Sequence, residues 1–89
     1  MELIFEKVGD QYEANFQVST DIKVQLIFTE GSTSKATLFR SLDGEHYDIA
    51  GISRDSNCPI VQTQGTSEGD YFKLRCNFMP EKVIYVEVE

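Results

Sequence analysis

The side chains that could do chemistry are few in kind: one histidine, His46, two cysteines, Cys58 and Cys76, and fifteen Asp and Glu. A single imidazole cannot build a His-rich zinc site within one copy of the chain. A cysteine–histidine pair would need Cys58 or Cys76 to approach His46, and neither cysteine lies in a local pattern that activates a thiol. The many serines allow a Ser-His-Asp set to be drawn around His46, yet no nucleophile elbow or oxyanion loop singles one out. Carboxylate pairs such as Asp43 with Asp48, or Glu68 with Asp70, have the right type for glycoside hydrolysis or calcium binding. Hydrolysis needs a shaped cleft for its two acids, and a chain of 89 residues has little interior to form one. Asp55-Ser56-Asn57 and Glu68-Gly69-Asp70 offer oxygen ligands without the twelve-residue spacing of a calcium loop. The glycines are isolated and form no phosphate-cradling run. The sequence therefore predicts no catalytic residue, no cofactor and no metal.

The elements that position these residues are read from a two-residue period. Tyr12, Ala14, Phe16 and Val18 alternate with Gln11, Glu13, Asn15 and Gln17, and the same alternation recurs along almost the whole chain. Successive side chains of a strand point to opposite faces, so one row is apolar and meets a core while the other meets water or a partner. Gly9-Asp10 ends an apolar opening segment, Glu2 to Val8, and predicts a hairpin into Gln11 to Val18. Ile22, Val24, Leu26 and Phe28 form the next inward row and leave Ile27 on the other face. Ala36 and Leu38 face one way, Thr37 and Phe39 the other. Asp43-Gly44 predicts a second hairpin, into Glu45 to Ala50 with Tyr47 and Ile49 on a common face. Gly51 to Pro59 reads as a surface connection, Ile60 to Gln64 as a short strand and Gly65 to Asp70 as an exposed turn. Phe72, Leu74, Cys76 and Phe78 point inward from Tyr71 to Phe78, and Val83 to Val88 closes the chain. About eight short strands with no helical period predict an all-β fold, a single antiparallel β-sandwich of jelly-roll or Ig-like topology over residues 1–89. A closed barrel is the alternative.

Charge narrows the partners. Eight Lys and Arg against fifteen Asp and Glu give a net charge of −7, and the basic residues form no run, which argues against nucleic acid. Lys73 and Arg75 share one strand face and could be joined there by Arg40. No stretch approaches the length of a membrane span, and the start at Met1-Glu2-Leu3 lacks the basic and apolar regions of a signal peptide, so the chain is expected to be soluble, intact at its start and made in a cytoplasm. In that compartment Cys58 and Cys76 are expected as thiols, with a disulfide left open. Ile27, Phe39, Val83 and Tyr85 fall off the strongest core rows. If exposed, they are an interaction surface of the kind monomers avoid.

Two resemblances follow from these strands and turns. The order Gln11 to Leu26, then Leu38 to Tyr47, then Pro80 to Val86 resembles small β-sandwich virion proteins of tailed phages that infect gut Bacteroidetes. That resemblance implies a non-enzymatic capsid auxiliary or decoration protein, or a tail-associated one. It would be located in the virion after synthesis in the host cytoplasm, and would act through contacts with its own copies or with capsid or tail proteins. More narrowly, Leu38 to Ile49, with Ser41-Leu42-Asp43-Gly44 before Tyr47, resembles the Ser-x-Asp-Gly hairpin of discoidin-type jelly rolls that bind sugars or lipids. It implies a carbohydrate- or partner-binding module whose ligand loop holds Asp43, Gly44 and Tyr47, with Tyr47, Tyr71 or Tyr85 as the sugar platform in the absence of any tryptophan.

Overall fold

Alternation becomes pairing in the computed structural model, which describes residues 2–88. Met1, on which the expectation of an intact start rests, and Glu89 lie outside the described residues. The strands are β1 (Glu6–Val8), β2 (Gln11–Gln17), β3 (Ile22–Ile27), β4 (Thr37–Ser41), β5 (Asp48–Ile52), β6 (Ile60–Gln62), β7 (Tyr71–Cys76) and β8 (Lys82–Glu87). They form two sheets, one of five strands in the order β1-β2-β7-β4-β5 and one of three in the order β6-β3-β8. Every pairing is antiparallel, and no helix forms among the described residues. The two sheets make the all-β sandwich that the alternation predicts.

The core lies between the sheets. From the small sheet come Ile22, Val24 and Leu26 of β3 and the following Phe28, none more than 2% exposed. From the large sheet come Ala14, Phe16, Leu38, Phe72 and Leu74, and the rings of Phe16 and Phe72 stack with centroids 5.5 Å apart. Thr63 ties β6 to β3: its Oγ1 accepts from the Ile22 amide at 2.8 Å, and its own amide donates to the Ile22 carbonyl at 2.9 Å. Cys76 is a buried thiol that donates to the Phe78 carbonyl, and burial pushes its pKa up to about 11; Cys58 is a free thiol at the surface.

Several elements depart from the sequence reading. In the opening segment only Glu6–Val8 pairs as a strand, while Leu3 and Phe5 are buried without strand pairing; Leu3 lies beside Val83 and Tyr85 of β8. Val83 stands opposite Leu26 and Tyr85 opposite Val24. Directly opposed residues of an antiparallel pair share a face, so both side chains point inward, and both pack half-buried against the core. They are not outward surface, and Ile84 and Val86 take that place. Arg40 stands opposite Phe72 and belongs to the inward row, so it does not join Lys73 and Arg75. Phe78 lies beyond the end of β7 and is 46% exposed, with its ring edge-on to Phe28. The second hairpin has a six-residue loop, Leu42 to Tyr47, rather than a two-residue turn, and β4 meets β5 through a register shift between Leu38 and Phe39.

Leu74 is fully buried at the centre of β7, between β2 and β4. Leu74→Ala is expected to cost about 2–5 kcal/mol, from lost transfer energy and the cavity left behind. The check is urea unfolding; a change below about 1 kcal/mol would overturn this assignment of the core.

Candidate interaction surfaces

The loop between β4 and β5 gathers Ser41, Asp43, Glu45 and His46, and its own backbone uses their side chains. Ser41 Oγ donates to Asp43 Oδ1 at 2.8 Å and accepts from the amides of Asp43 and Gly44. Asp43 Oδ1 also accepts from the amides of Glu45 and His46, at 2.8 and 2.9 Å, and Oδ2 lies 2.7 Å from His46 Nδ1. The amides of His46 and Glu45, then the His46 ring and Ser41, hold the Asp43 carboxyl well below the usual carboxylate range. Gly44 closes the turn at φ 79°, where a side chain would be strained, and an added Cβ would stand 3.2 Å from the Tyr71 ring.

This arrangement brings a serine, an aspartate and a histidine together in an order that does not relay a proton. Ser41 Oγ donates to the carboxylate and not to the imidazole, so His46 is not placed to activate it. Ligand atoms of Asp43, Glu45 and His46 also lie within 4.8 Å of one another. The oxygens of Asp43 and the Nδ1 of His46 are already hydrogen-bonded within the loop, so a cation would have to displace those bonds. The Ser-x-Asp-Gly sequence is thus a staple for the loop before it is a ligand site.

The outer face of the large sheet carries a ladder of aromatic rings and cations. The Lys73 ammonium lies over the Tyr47 ring, 4.4 Å from its centroid, and the Arg75 guanidinium lies 4.6 Å from that of Phe39. Glu13 Oε2 accepts from Arg75 Nε at 2.7 Å and is also 2.7 Å from its Nη2. Phe39 therefore faces outward, as expected, but is half-buried beneath Arg75. Tyr47 and Tyr71 both line this side, whereas Tyr85 is on the core of the other sheet. The ligand loop and two of the three tyrosines nominated for a sugar platform are brought together; the third is not.

The outer face of the small sheet is different in character. Ile27, Ile84 and Val86 stand on adjacent strands, with Ile60 of β6 opposite Gln25 on the other side of β3. Ile60 is 56% exposed and Val86 52%, and Ile27 and Ile84 are half-buried. Of the four residues nominated as surface, Ile27 alone lies on this face.

On the side where β5 and β6 meet, a cleft of about 580 Å³ opens between the sheets, lined by Leu38, Arg40, Ile52, Ile60 and Phe72 among others. Arg40 spans its end. The guanidinium donates to the carbonyls of Gln64 and Gly65, both at 2.9 Å, and pairs with buried Asp70. The clamp fastens the loop leaving the small sheet to a strand of the large one. No protein-family model, curated protein or solved structure matches this chain.

The amide of Ser67 and the Arg40 guanidinium hold the Asp70 carboxyl below its usual range, against the opposing effect of burial. A group whose folded pKa is depressed stabilises the fold above its unfolded value and loses that contribution as the pH falls through the folded one. Stability should accordingly decline as the pH drops below about 4. Asp70→Asn is expected to lower stability at neutral pH and to flatten that acid decline, as followed by urea midpoints at pH 7 and about pH 3. An unchanged acid decline would show that the clamp does not set it.

Proposed function

We propose that this protein is a non-enzymatic structural component that works by protein–protein contact, with the outer face of its small sheet as the contact surface. The observation that carries the reading is the set Ile27, Ile60, Ile84 and Val86 on one solvent-facing sheet surface. The outer face of a sandwich sheet is ordinarily its polar row, and monomers rarely leave contiguous apolar area in water. The use of Ser41, Asp43 and His46 as a loop staple supports a binding role over catalysis. The resemblance to small phage virion sandwiches supplies a setting, that of a capsid auxiliary or decoration protein whose many copies add weak contacts on a lattice.

A second reading, a carbohydrate-binding module, is favoured by Tyr47 and Tyr71 lying beside Lys73 and the Asp43-Gly44 turn. A glycan array with the wild type and Tyr47→Ala separates the two. The first reading expects no reproducible glycan binding. Binding that disappears in Tyr47→Ala, with circular dichroism unchanged, would replace it with the second. The contact face has its own test: native protein should enhance the fluorescence of an apolar dye, and Ile84→Gln/Val86→Gln should lower that signal while folding normally. Equal dye binding by the double variant would show that this face is not the sticky surface.

A further inference from the structure

We propose that the occupant of the small sheet's outer face is a second copy of this chain, received in an acid-rimmed hollow beside β5; the inference rests on the reading of that face given above. The outward positions of β3 and β8 are Lys23, Gln25, Ile27, Lys82, Ile84 and Val86, which hold two cations and no carboxylate. In a chain with fifteen acidic and eight basic residues, this face is opposite in sign to the molecule as a whole. The adjacent exposed acids lie off those six positions. Glu81 accepts from the Thr29 hydroxyl at 2.9 Å, and Glu87 stands opposite Ile22 in the inward row.

The complementary surface is at the other sheet. A hollow of about 730 Å³ lies between the β4–β5 loop and β5, lined by Leu42, Asp43, His46, Asp48, Ile49 and Ala50. Leu42 is 79% exposed and Ile49 55%, so the hollow offers carbon to solvent. Asp43 and Asp48 line it with carboxylates, the exposed Glu45 carboxylate lies within 4.8 Å of the ligand atoms of Asp43 and His46, and Arg40 at its edge is already engaged by Asp70. An aliphatic face with flanking lysines thus meets an aliphatic hollow with flanking acids, the arrangement that fixes orientation and speeds encounter. Because face and hollow are different surfaces on different sheets, each copy can engage one neighbour through each. The contact is heterologous, and copies add head-to-tail into a ring or a filament.

Sedimentation equilibrium over a concentration series tests this with the wild type, Lys23→Glu/Lys82→Glu, Glu45→Lys/Asp48→Lys, and an equimolar mixture of the two variants. All four positions are exposed, so both variants should fold, with circular dichroism as the control. The wild-type mass should rise above 10.1 kDa with concentration. Each variant alone should associate more weakly, on the order of tenfold, because like charges now face each other across the contact. The mixture should recover, since each altered surface finds an opposite charge on the other variant, and added salt should weaken wild-type association. A wild type that stays monomeric, variants that associate as the wild type does, or a mixture that fails to recover would each overturn the inference. None of those failures alters the glycan array or the dye test, so the contact-face reading stands or falls separately.

Discussion

A five-stranded sheet facing a three-stranded one is the constraint on which the rest of this structure depends. The small sheet has a single central strand, β3, and its inward row must fill the space between the sheets almost alone. Ile22, Val24, Leu26 and Phe28 do so at no more than 2% exposure, opposite the stacked rings of Phe16 and Phe72. At roughly 1.5–3 kcal/mol for each fully buried aliphatic or aromatic side chain, this row contributes several kcal/mol to holding the sheets together. The flanks need other devices. Leu3 packs near β8 and Phe5 joins the core, while the β5–β6 flank remains a cleft spanned at its end by Arg40. An inward arginine is tolerable there because two carbonyls and a carboxylate satisfy it and its plane lies near the Phe72 ring.

The rows on β2, β3 and β7 were legible because each alternates cleanly, and so was the sandwich. β8 was not, for a definite reason. Val83-Ile84-Tyr85-Val86 is apolar at four consecutive positions, so its period carries no information about which face is wet. Its direction is set by register against β3, which places Tyr85 opposite Val24 and Val83 opposite Leu26. The pattern therefore points to Val83 and Tyr85 as outward surface, whereas Ile84 and Val86 form it. Ile60 is not legible as surface because a three-residue strand is too short to show a period, although Ile60 and buried Val61 side by side hint at contact on both faces.

The sequence displays the polar residues by type but not their connections. Gly51 and Ile52 belong to β5 rather than to the expected connection, which begins at Ser53, and much of it up to Pro59 is pinned rather than loose. Asn57 Nδ2 lies within hydrogen-bond distance of the carbonyls of Phe28, Thr29 and Ser32, and buried Ser34 bridges to Ser56 while its Oγ accepts from the Asn77 amide. Those partners are 22 to 43 residues away in sequence, beyond any local pattern. The loop at Ser41 and Asp43 is the opposite case. Its bonds span two or three residues, and short polar side chains at such spacing are expected to bond nearby amides. That local chemistry was visible in the sequence and competes directly with a ligand-binding assignment for the same atoms.

The two outer faces then differ in what they have left to offer a partner. On the large sheet, Arg75 is neutralised by Glu13 and covers Phe39, and Lys73 covers Tyr47, so much of its aromatic area is already in contact. A ligand there must compete with cation–π contacts worth about 0.5–1 kcal/mol each at exposed sites. On the small sheet Ile60 and Val86 project beside Ile27 and Ile84, with Lys23 and Lys82 at flanking outward positions. Covering such a surface releases water from carbon at roughly 25 cal/mol per Å² and breaks no internal bond. The face with the fewest intramolecular obligations is thus the one on which a protein partner gains most, and the surplus of acid elsewhere on the chain gives that partner its charge preference.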